Sequence, residues 1–375
     1  MKIPEFKKDI VYRTLRGEII QGKYPFNFKF PKELDLAAKL GVAKVTLRSA
    51  LVKLESEGLI ARLPARGTYV TYKAGNDNGR ILVLPTHMDK FESPSIYILP
   101  GVLARAVEAG RETITCEVDF LNGFSRNNQR EFALKNNISG SVVLASGFNG
   151  NEPLIDMLRQ MNIPVVLPHG GIHDRVKTGF AVVRNDYKAS WRMAVTHLVS
   201  NGHKNIGSIL LNAKDIRTYD QEEYLGLLHR CGARNHKSMI AYASYSEKDV
   251  ENAVHELLAK AEFPPTAILC FSDFIAIYVY EALKKINVKI PHDIAVMGYC
   301  GYPGSGLLSP PLSTIDLQYF KAGATAVDVL LRSSEWFGPG ARAAAPEVIM
   351  PHILKDREST NIKRMEEILM ITEAV

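Results

Sequence analysis

The sequence predicts a small α+β head, built from three helices and a β-hairpin, followed by a larger α/β body made of two lobes. The first observation is charge: residues 1–75 carry 15 Lys+Arg and 7 Asp+Glu, a net charge of +8, whereas the remaining residues carry −2. The second is a change in apolar spacing, from helical periods in the head to strand–helix alternation after residue 80. The third is the length of 375 residues, which suits two to three domains.

Composition excludes several classes of protein. No apolar run approaches the roughly 20 residues that a membrane-spanning helix needs, so no membrane partner is expected. The charged N-terminus lacks the apolar segment of a secretory signal. The four cysteines show neither a CxxC pair nor zinc spacing. We therefore expect a soluble cytoplasmic protein with no disulfide framework, no metal and no cofactor.

Three helices and a hairpin are predicted in the first seventy residues. The helices are predicted over residues 9–21, 31–40 and 44–57. The apolar face of the third helix follows the i, i+3, i+4, i+7 spacing and consists of Leu47, Ala50, Leu51 and Leu54. Residues 59–71 follow as two short runs of β-formers around a basic tip.

This layout is that of a winged helix-turn-helix, whose third helix is narrow enough for the major groove. Lys44, Thr46 and Arg48 fall between the apolar positions of that helix, so they are predicted to face DNA. Arg66, beside Gly67 at the hairpin tip, suits the minor groove or a phosphate. The head is therefore expected to bind double-stranded operator DNA.

The segment FPKELDLAAKLGVAKVTLRSALVKLESEGLIARLPARGTYV resembles the GntR family of bacterial transcription regulators, without a gap. Lys32 and Gly67 complete the predicted DNA-binding set. The family usually has Ser at the position of Lys32, Ser-Arg at Ala43–Lys44, and often a basic residue at Leu34. Ala43 lacks the side chain that would cap the third helix, and Lys44 offers a point charge in place of the planar guanidinium of arginine. These differences affect which operator sequence is recognised rather than DNA binding itself.

Strand-like and helical segments alternate in the body, as in parallel sheets covered by helices. The predicted strands are residues 81–85, 113–118, 141–146, 164–168, 180–183, 206–211, 239–244, 266–271 and 294–299. The size of the body predicts two lobes, with a break near residues 168–180 and a ligand cleft at the carboxyl ends of the strands. The predicted divisions are a head over 1–71, a linker over 72–79, a body over 80–360 and a helical extension over 361–375.

The body resembles the LacI/GalR regulator family, whose sensor domain shares the periplasmic sugar-binding-protein fold. The resemblance rests on Asp186 and on residues 194–207, 266–299, 307–323 and 353–360. A GntR-type head on such a sensor is the arrangement of the arabinose-repressor branch. The resemblance implies a homodimeric transcription regulator, a repressor by family default. Its affinity for DNA is expected to respond to a small-molecule effector, usually a sugar or sugar derivative, bound in the cleft.

The sequence departs from this family at the positions that the resemblance assigns to the effector. The family's effector-binding arginine falls on Asp220, with Arg217 one turn earlier as a substitute. The first aspartate of the family's GFDD motif is Cys300, which removes a carboxylate acceptor for sugar diols, whereas Asp273 is retained. The pocket is expected either to bind a different ligand or to have lost the sugar response.

Several alternatives remain open at this stage. Phe271 and Tyr299 supply either a ring-stacking wall for the effector or part of the core. His197 and His203 lie at structural positions of the family pattern, and no neighbouring spacing supports a metal. The helix predicted over residues 361–372, within the C-terminal extension, packs on the body or meets a partner subunit.

Two other functions compete with a ligand-responsive regulator. One is a winged helix fused to an aminotransferase-like enzyme, but no Schiff-base lysine or pyridoxal-phosphate cradle is evident in the body. The other is a sugar transport protein, against which the DNA-binding head and the missing signal peptide argue.

Overall fold

The computed structural model describes residues 7–20, 22–72, 79–212, 221–260, 262–338, 341 and 343–361. Most of the predicted linker and of the predicted C-terminal helix lies outside these ranges. The described residues fall into two compact units, the first within 1–89, 93–184 and 320–348, the second within 90–92, 185–319 and 349–375. Within the described ranges, no helix is both long and apolar enough to cross a membrane.

The head lies in the first unit and has the predicted elements. They are α1 (Lys7–Ile20), α2 (Glu33–Lys39), α3 (Lys44–Ser56), β1 (Ile60–Leu63) and β2 (Gly67–Val70). Strands β1 and β2 pair antiparallel, from Ile60 opposite Val70 to Leu63 opposite Gly67. The predicted winged helix-turn-helix is confirmed, because the three helices share one buried core with this hairpin.

Helix α3 ends where the sequence predicts. Gly58 has a φ of +73°, and the Leu59 amide donates to the Leu54 carbonyl across it. Glycine adopts this left-handed conformation without the steric cost of a Cβ atom. The reversal turns the chain directly into β1.

The remainder of the first unit, here called lobe 1, is built on a six-stranded sheet. The strand order is β13 (Glu347–Met350), β7 (Ala181–Asn185), β6 (Val165–Leu167), β5 (Ile138–Val143), β3 (Arg80–Leu84) and β4 (Thr113–Thr115). The pairs from β4 to β7 are parallel. The associated helices are α4 (Pro94–Glu108), α5 (Val118–Asn122), α6 (Arg126–Lys135), α7 (Pro153–Met161), α8 (Ile172–Thr178) and α13 (Tyr319–Leu331).

The second unit, here called lobe 2, has a sheet of the same size. The strand order is β14 (Ile353–Lys355), β12 (Ser313–Asp316), β11 (Ala295–Cys300), β10 (Ala267–Cys270), β8 (Ile206–Leu211) and β9 (Ile240–Ala243). All pairs are parallel except the antiparallel pair of β12 and β14. The associated helices are α9 (Tyr187–Ser200), α10 (Gln221–Arg230), α11 (Glu247–Lys260) and α12 (Asp273–Lys285).

Short 3-10 turns complete the lobes at Lys237–Met239, Pro303–Leu307, Ser333–Glu335 and Glu358–Thr360. All nine predicted strands are present, as β3 to β11. The boundary between the lobes differs from the prediction, since it falls between residues 184 and 185 rather than at 168–180. The reason is that β7 pairs with β6, which keeps residues 181–184 in the first sheet.

Helices α4 and α13 of lobe 1 cross at two glycines. A Cβ atom placed on Gly101 would lie 1.9 Å from the Phe320 carbonyl oxygen. A Cβ atom on Gly323 would lie 2.2 Å from the Ile98 carbonyl oxygen. Both distances are far below van der Waals contact, so the two backbones approach closely only because neither glycine carries a side chain.

This crossing predicts that Gly101→Ala destabilises the protein by about 1–3 kcal/mol, because the added methyl overpacks the helix interface. Gly17→Ala is the matched control. Gly17 also lies in a helix, α1, but a Cβ atom there meets nothing within 4 Å. That control is expected to stabilise the head by about 0.5–1 kcal/mol. Urea unfolding followed by circular dichroism measures both variants, and a Gly101→Ala variant as stable as the wild type would contradict the close crossing.

Candidate functional site

Helix α3 presents one buried and one exposed face. Leu47, Leu51 and Leu54 are at most 1% exposed and form the centre of the head core. Lys44 and Arg48 are exposed on the other side, and Thr46 is half-buried. The arrangement leaves two cationic side chains available at the N-terminal part of the helix, which is the part that contacts base edges in helix-turn-helix proteins.

The start of α3 has no side-chain cap. Ala43 occupies the N-cap position with an extended backbone and makes no capping hydrogen bond. The first backbone amides of α3 therefore receive no hydrogen bond from a capping side chain. They form the positive end of the helix dipole. Such a helix start favours an anion such as a DNA phosphate.

The other predicted DNA-binding residues lie at the hairpin tip and before α2. Gly67 has a φ of +119° and is exposed, and Arg66 beside it is exposed as well. Lys32 is exposed at the N-cap of α2. The guanidinium of Arg66 forms an ion pair with Glu131 of α6 and donates to the Asn128 side-chain oxygen at 3.4 Å.

A carboxylate that the sequence analysis did not single out connects α1 to the end of α3. Glu57, at the end of α3, accepts hydrogen bonds from the Tyr12 hydroxyl and from Arg16 Nε at 2.9 Å. Although burial acts to raise the pKa of Glu57, these hydrogen bonds from α1 lower it below its ordinary value. The interaction fixes α1 against the helix that carries the predicted DNA-binding residues.

In lobe 2, Asp273 is a buried carboxylate with several donors. It begins α12 and is 1% exposed. Thr314 Oγ1 donates to one carboxylate oxygen at 2.6 Å, and the Tyr302 amide donates to the other at 2.6 Å. A Cβ atom on Gly298 would lie 2.1 Å from the same carboxylate, so glycine is required there. Burial raises the pKa of Asp273 to about 7, against the lowering effect of these hydrogen bonds.

Cys300 lies at the carboxyl end of β11, next to this carboxylate. Its φ of +96° falls in the left-handed region, which residues with a side chain rarely adopt. Burial raises the pKa of its thiol to about 12, so the sulfur is a neutral group. The hydroxyls of Tyr302 and Tyr319 are hydrogen-bonding neighbours of the thiol, and the two rings stack at 5.8 Å. The sequence analysis did not single out these tyrosines, because Tyr302 lies in the turn after β11 and Tyr319 begins α13, so only the tertiary fold brings them together.

Tyr299 and Phe271 lie in different environments. Tyr299 is 1% exposed, stacks on Trp191 at a ring distance of 4.8 Å, and its hydroxyl bonds to Ser190 Oγ at 2.5 Å. This placement favours the core role that the sequence left open for Tyr299. Phe271 is half-buried at the carboxyl end of β10 and lies 6.3 Å from Trp191, between ring centroids.

Arg217 and Asp220 lie outside the described residues, so the arginine position of the predicted effector site stays a prediction. The structure does describe Glu223 and Tyr224, which follow Asp220 by three and four positions. Glu223 forms an ion pair with Lys188, and Tyr224 is buried with its hydroxyl 2.7 Å from Ser208 Oγ. Tyr224 is thus part of the lobe 2 core.

The two histidines weighed as metal ligands bond to hydroxyl groups. His197 Nε2 lies 2.9 Å from Thr360 Oγ1, and His203 Nδ1 lies 3.2 Å from Thr266 Oγ1. Burial lowers the pKa of both imidazoles. Among the described residues, no three metal-ligating side chains come together.

Comparison with known proteins identifies both parts of the chain. Residues 7–70 match the model for bacterial regulatory proteins of the gntR family, and residues 195–360 match a periplasmic binding protein-like domain. The chain joins a GntR-type winged helix to a periplasmic-binding-protein-like body. The resemblance seen in the sequence is therefore confirmed for both parts.

Relatives with this body are described as transcriptional repressors. One is the HTH-type transcriptional repressor PurR of Actinobacillus pleuropneumoniae serotype 3 (strain JL03), 28% identical over 54% of this chain. The alignment spans 59% of that relative's length. The arabinose metabolism transcriptional repressor of Geobacillus stearothermophilus is 24% identical over 86% of this chain and 91% of its own length. These relatives give no support to the aminotransferase-like alternative.

The fold of the body also matches solved structures. A LacI family transcriptional regulator from Enterococcus faecium, solved with bound ribose, has a TM-score of 0.56 and 18% identity. The match covers 75% of this chain and 98% of that chain. At this identity the likeness concerns the fold.

The environment of Asp273 predicts a pH-dependent contribution to stability. Since its pKa rises from 3.8 to about 7 on folding, the folded chain retains a proton that the unfolded chain releases between these values. The contribution is complete below pH 4 and is lost as the pH rises to 7. The stability of the wild type relative to Asp273→Asn should therefore fall over this range, by at most about 1.4 kcal/mol per pH unit.

Urea unfolding at several pH values measures this difference. Asp156→Asn is the control, because Asp156 lies on the surface of α7 with a side chain that is 59% exposed. The stability of the control relative to the wild type should stay constant over the same range. A constant difference for Asp273→Asn as well would show that the buried carboxylate is ionised throughout.

Proposed function

We propose that this protein is a ligand-responsive transcription regulator, acting as a repressor, that binds operator DNA through its winged helix. The observation that carries the proposal is the two-faced α3, with Lys44 and Arg48 exposed opposite a complete apolar core. The match of residues 7–70 to the gntR family and the repressor relatives support the same conclusion. The proposed location is the cytoplasm.

Direct reading of bases is assigned to Arg48 and phosphate contact to Lys44. A guanidinium presents a planar fork of donors that matches the O6 and N7 acceptors of guanine, whereas an ammonium acts as a point charge. Lys44 lies in the first turn of α3, where the uncapped amides also favour an anion. Lys32 and the wing residues Arg66 and Gly67 complete the proposed interface.

We expect Arg48→Ala to weaken operator binding by about 1–3 kcal/mol, because a bidentate contact to a base is lost. Arg48→Lys keeps the charge without the fork, so it should lose most of the preference for the operator over random DNA. Fluorescence anisotropy with a selected operator and a scrambled duplex separates the two effects.

The matched control is Arg230→Ala, which removes the same charge from an exposed position at the end of α10. It should leave both affinities unchanged. Equal operator affinity for Arg48→Ala and the wild type would remove Arg48 from the recognition set.

Sedimentation of the wild-type complex should show two chains per operator, since a homodimer on a two-fold site is part of the proposal.

The effector is proposed to be a small molecule, a sugar or sugar derivative, bound by the body at the carboxyl ends of the lobe 2 strands. The ribose-bound structure and the arabinose repressor support this ligand class. Phe271, Cys300, Arg217 and Asp220 are the proposed contacts. Asp273, whose oxygens accept from Thr314 and the Tyr302 amide, is proposed to shape the site from beneath it.

Coupling between effector and DNA follows from linkage. If the effector binds one conformation of the body better, it shifts the population toward that conformation and changes operator affinity by the same free energy. A typical coupling of about 1–3 kcal/mol corresponds to roughly 5–150-fold in affinity.

A thermal-shift screen against monosaccharides, disaccharides, sugar phosphates, uronic acids and nucleosides should identify the effector. A ligand at about 100 times its Kd adds about 2.7 kcal/mol of stability, which raises Tm by several degrees. The Cys300→Ala variant should lose most of the shift with the identified ligand. If no compound of the panel raised Tm while operator binding was intact, the result would count against a sugar-responsive body.

A further inference from the structure

We propose that the winged helix docks on lobe 1 through the wing arginine, and that this docked arrangement inhibits DNA binding until it opens. The inference rests on the proposed function of the head. It concerns a regulatory contact within the first unit, whereas the proposed effector contacts belong to lobe 2. The surface involved is α6 and the end of α7, both of lobe 1.

The first contact is electrostatic. Arg66, at the tip of the wing, forms an ion pair with Glu131 and lies 3.4 Å from the side-chain oxygen of Asn128. Glu131 also pairs with Lys135 one turn further along α6, at 2.8 Å. The Glu131 side chain is only 21% exposed, so the wing arginine reaches an acid that is largely withdrawn from solvent.

Two further contacts extend the docked surface away from the wing tip. Arg130 Nη1 of α6 lies 3.8 Å from Glu55 Oε1 near the end of α3. Asn162, the C-cap of α7, donates from Nδ2 to the Gly58 carbonyl at 3.2 Å. A Cβ atom on Gly58 would lie 2.5 Å from that nitrogen, so the Asn162 side chain lies directly against the Gly58 backbone. The head therefore contacts lobe 1 at the wing, at α3 and at the turn between them.

The docked wing and a DNA-bound wing exclude each other. An arginine that pairs with a carboxylate cannot offer the same donors to a phosphate or to the minor groove. The carboxylate of Glu131 would also repel a phosphate placed at the same position. Lys44 and Arg48 remain exposed in the docked arrangement. The contact therefore keeps the wing from binding DNA but leaves α3, the recognition helix, accessible.

Glu131→Gln tests the contribution of the ion pair. Partly exposed pairs are worth up to about 1 kcal/mol, so the variant should bind the operator up to about fivefold more tightly than the wild type at low salt. The difference should shrink as salt screens the pair. Glu108→Gln is the matched control, since it removes the same charge from lobe 1 at a residue that pairs with Arg105. If both substitutions raised operator affinity equally, the cause would be weaker overall repulsion between lobe 1 and DNA phosphates, and the proposal would be overturned.

Cross-linking tests the docked arrangement itself. Ala65→Cys, next to the wing arginine, is combined with Asn128→Cys and treated with a bismaleimide that contains a cleavable disulfide. Each single-cysteine variant serves as a control for the native thiols. We expect an intramolecular cross-link that forms less readily with excess operator, abolishes operator binding and restores it after reduction. Failure to form the cross-link, or full operator binding by the cross-linked protein, would overturn the proposal.

The two proposals fail in distinguishable ways. If the wild type binds no DNA, the proposed function fails, while cross-linking still reports whether the head docks. If the wild type binds DNA and either test above is negative, only the inhibitory docking fails.

Discussion

The separation of α3 into an apolar and a cationic face is the constraint on which the proposed function depends. Burying Leu47, Leu51 and Leu54 leaves only one rotation of the helix that keeps the core closed. That rotation places Lys44 and Arg48 toward solvent. The side chains offered to DNA are therefore selected by packing before any base is contacted. A substitution that turned the helix would cost both stability and recognition.

In lobe 2 a buried carboxylate has a comparable organising role. Asp273 accepts from the Thr314 hydroxyl on β12 and from the Tyr302 amide in the turn after β11. Three separate segments, the start of α12, the turn after β11 and strand β12, thus converge on one group. Burial raises the pKa of the Cys300 thiol, and the charge of Asp273 raises it further. A neutral thiol at position 300 avoids placing a second carboxylate beside Asp273, at the expense of an acceptor for ligand hydroxyls.

Local patterning predicted most of the fold. The three head helices, the hairpin and nine strands follow from apolar periodicity, and Gly58 ends α3 as the sequence indicates. Strand β12 was missed because Ser313 and Thr314 are polar although both are fully buried. Their hydroxyls bond to groups distant in sequence, the Arg357 carbonyl and the Asp273 carboxylate. Periodicity carries no information about such partners.

The candidate site was harder to predict for the same reason. The faces of α3 follow from spacing alone, so Lys44 and Arg48 were placed correctly on the exposed side. Tyr302 reaches Cys300 through the turn after β11, and Tyr319 reaches it because β12 pairs with β11 just before α13 begins. The pairing of Arg66 with Glu131 joins two elements across 65 positions of sequence, and neither residue is unusual by itself.

That last pairing changes how the strength of DNA binding should be understood. An intramolecular acceptor costs no loss of translational freedom, so even a weak ion pair competes effectively with a phosphate for one arginine. The recognition helix is spared from this competition, because its cationic residues stay exposed. Base discrimination by α3 and overall affinity through the wing are then adjustable separately. A regulator built in this way can weaken its hold on DNA without altering which sequence it prefers.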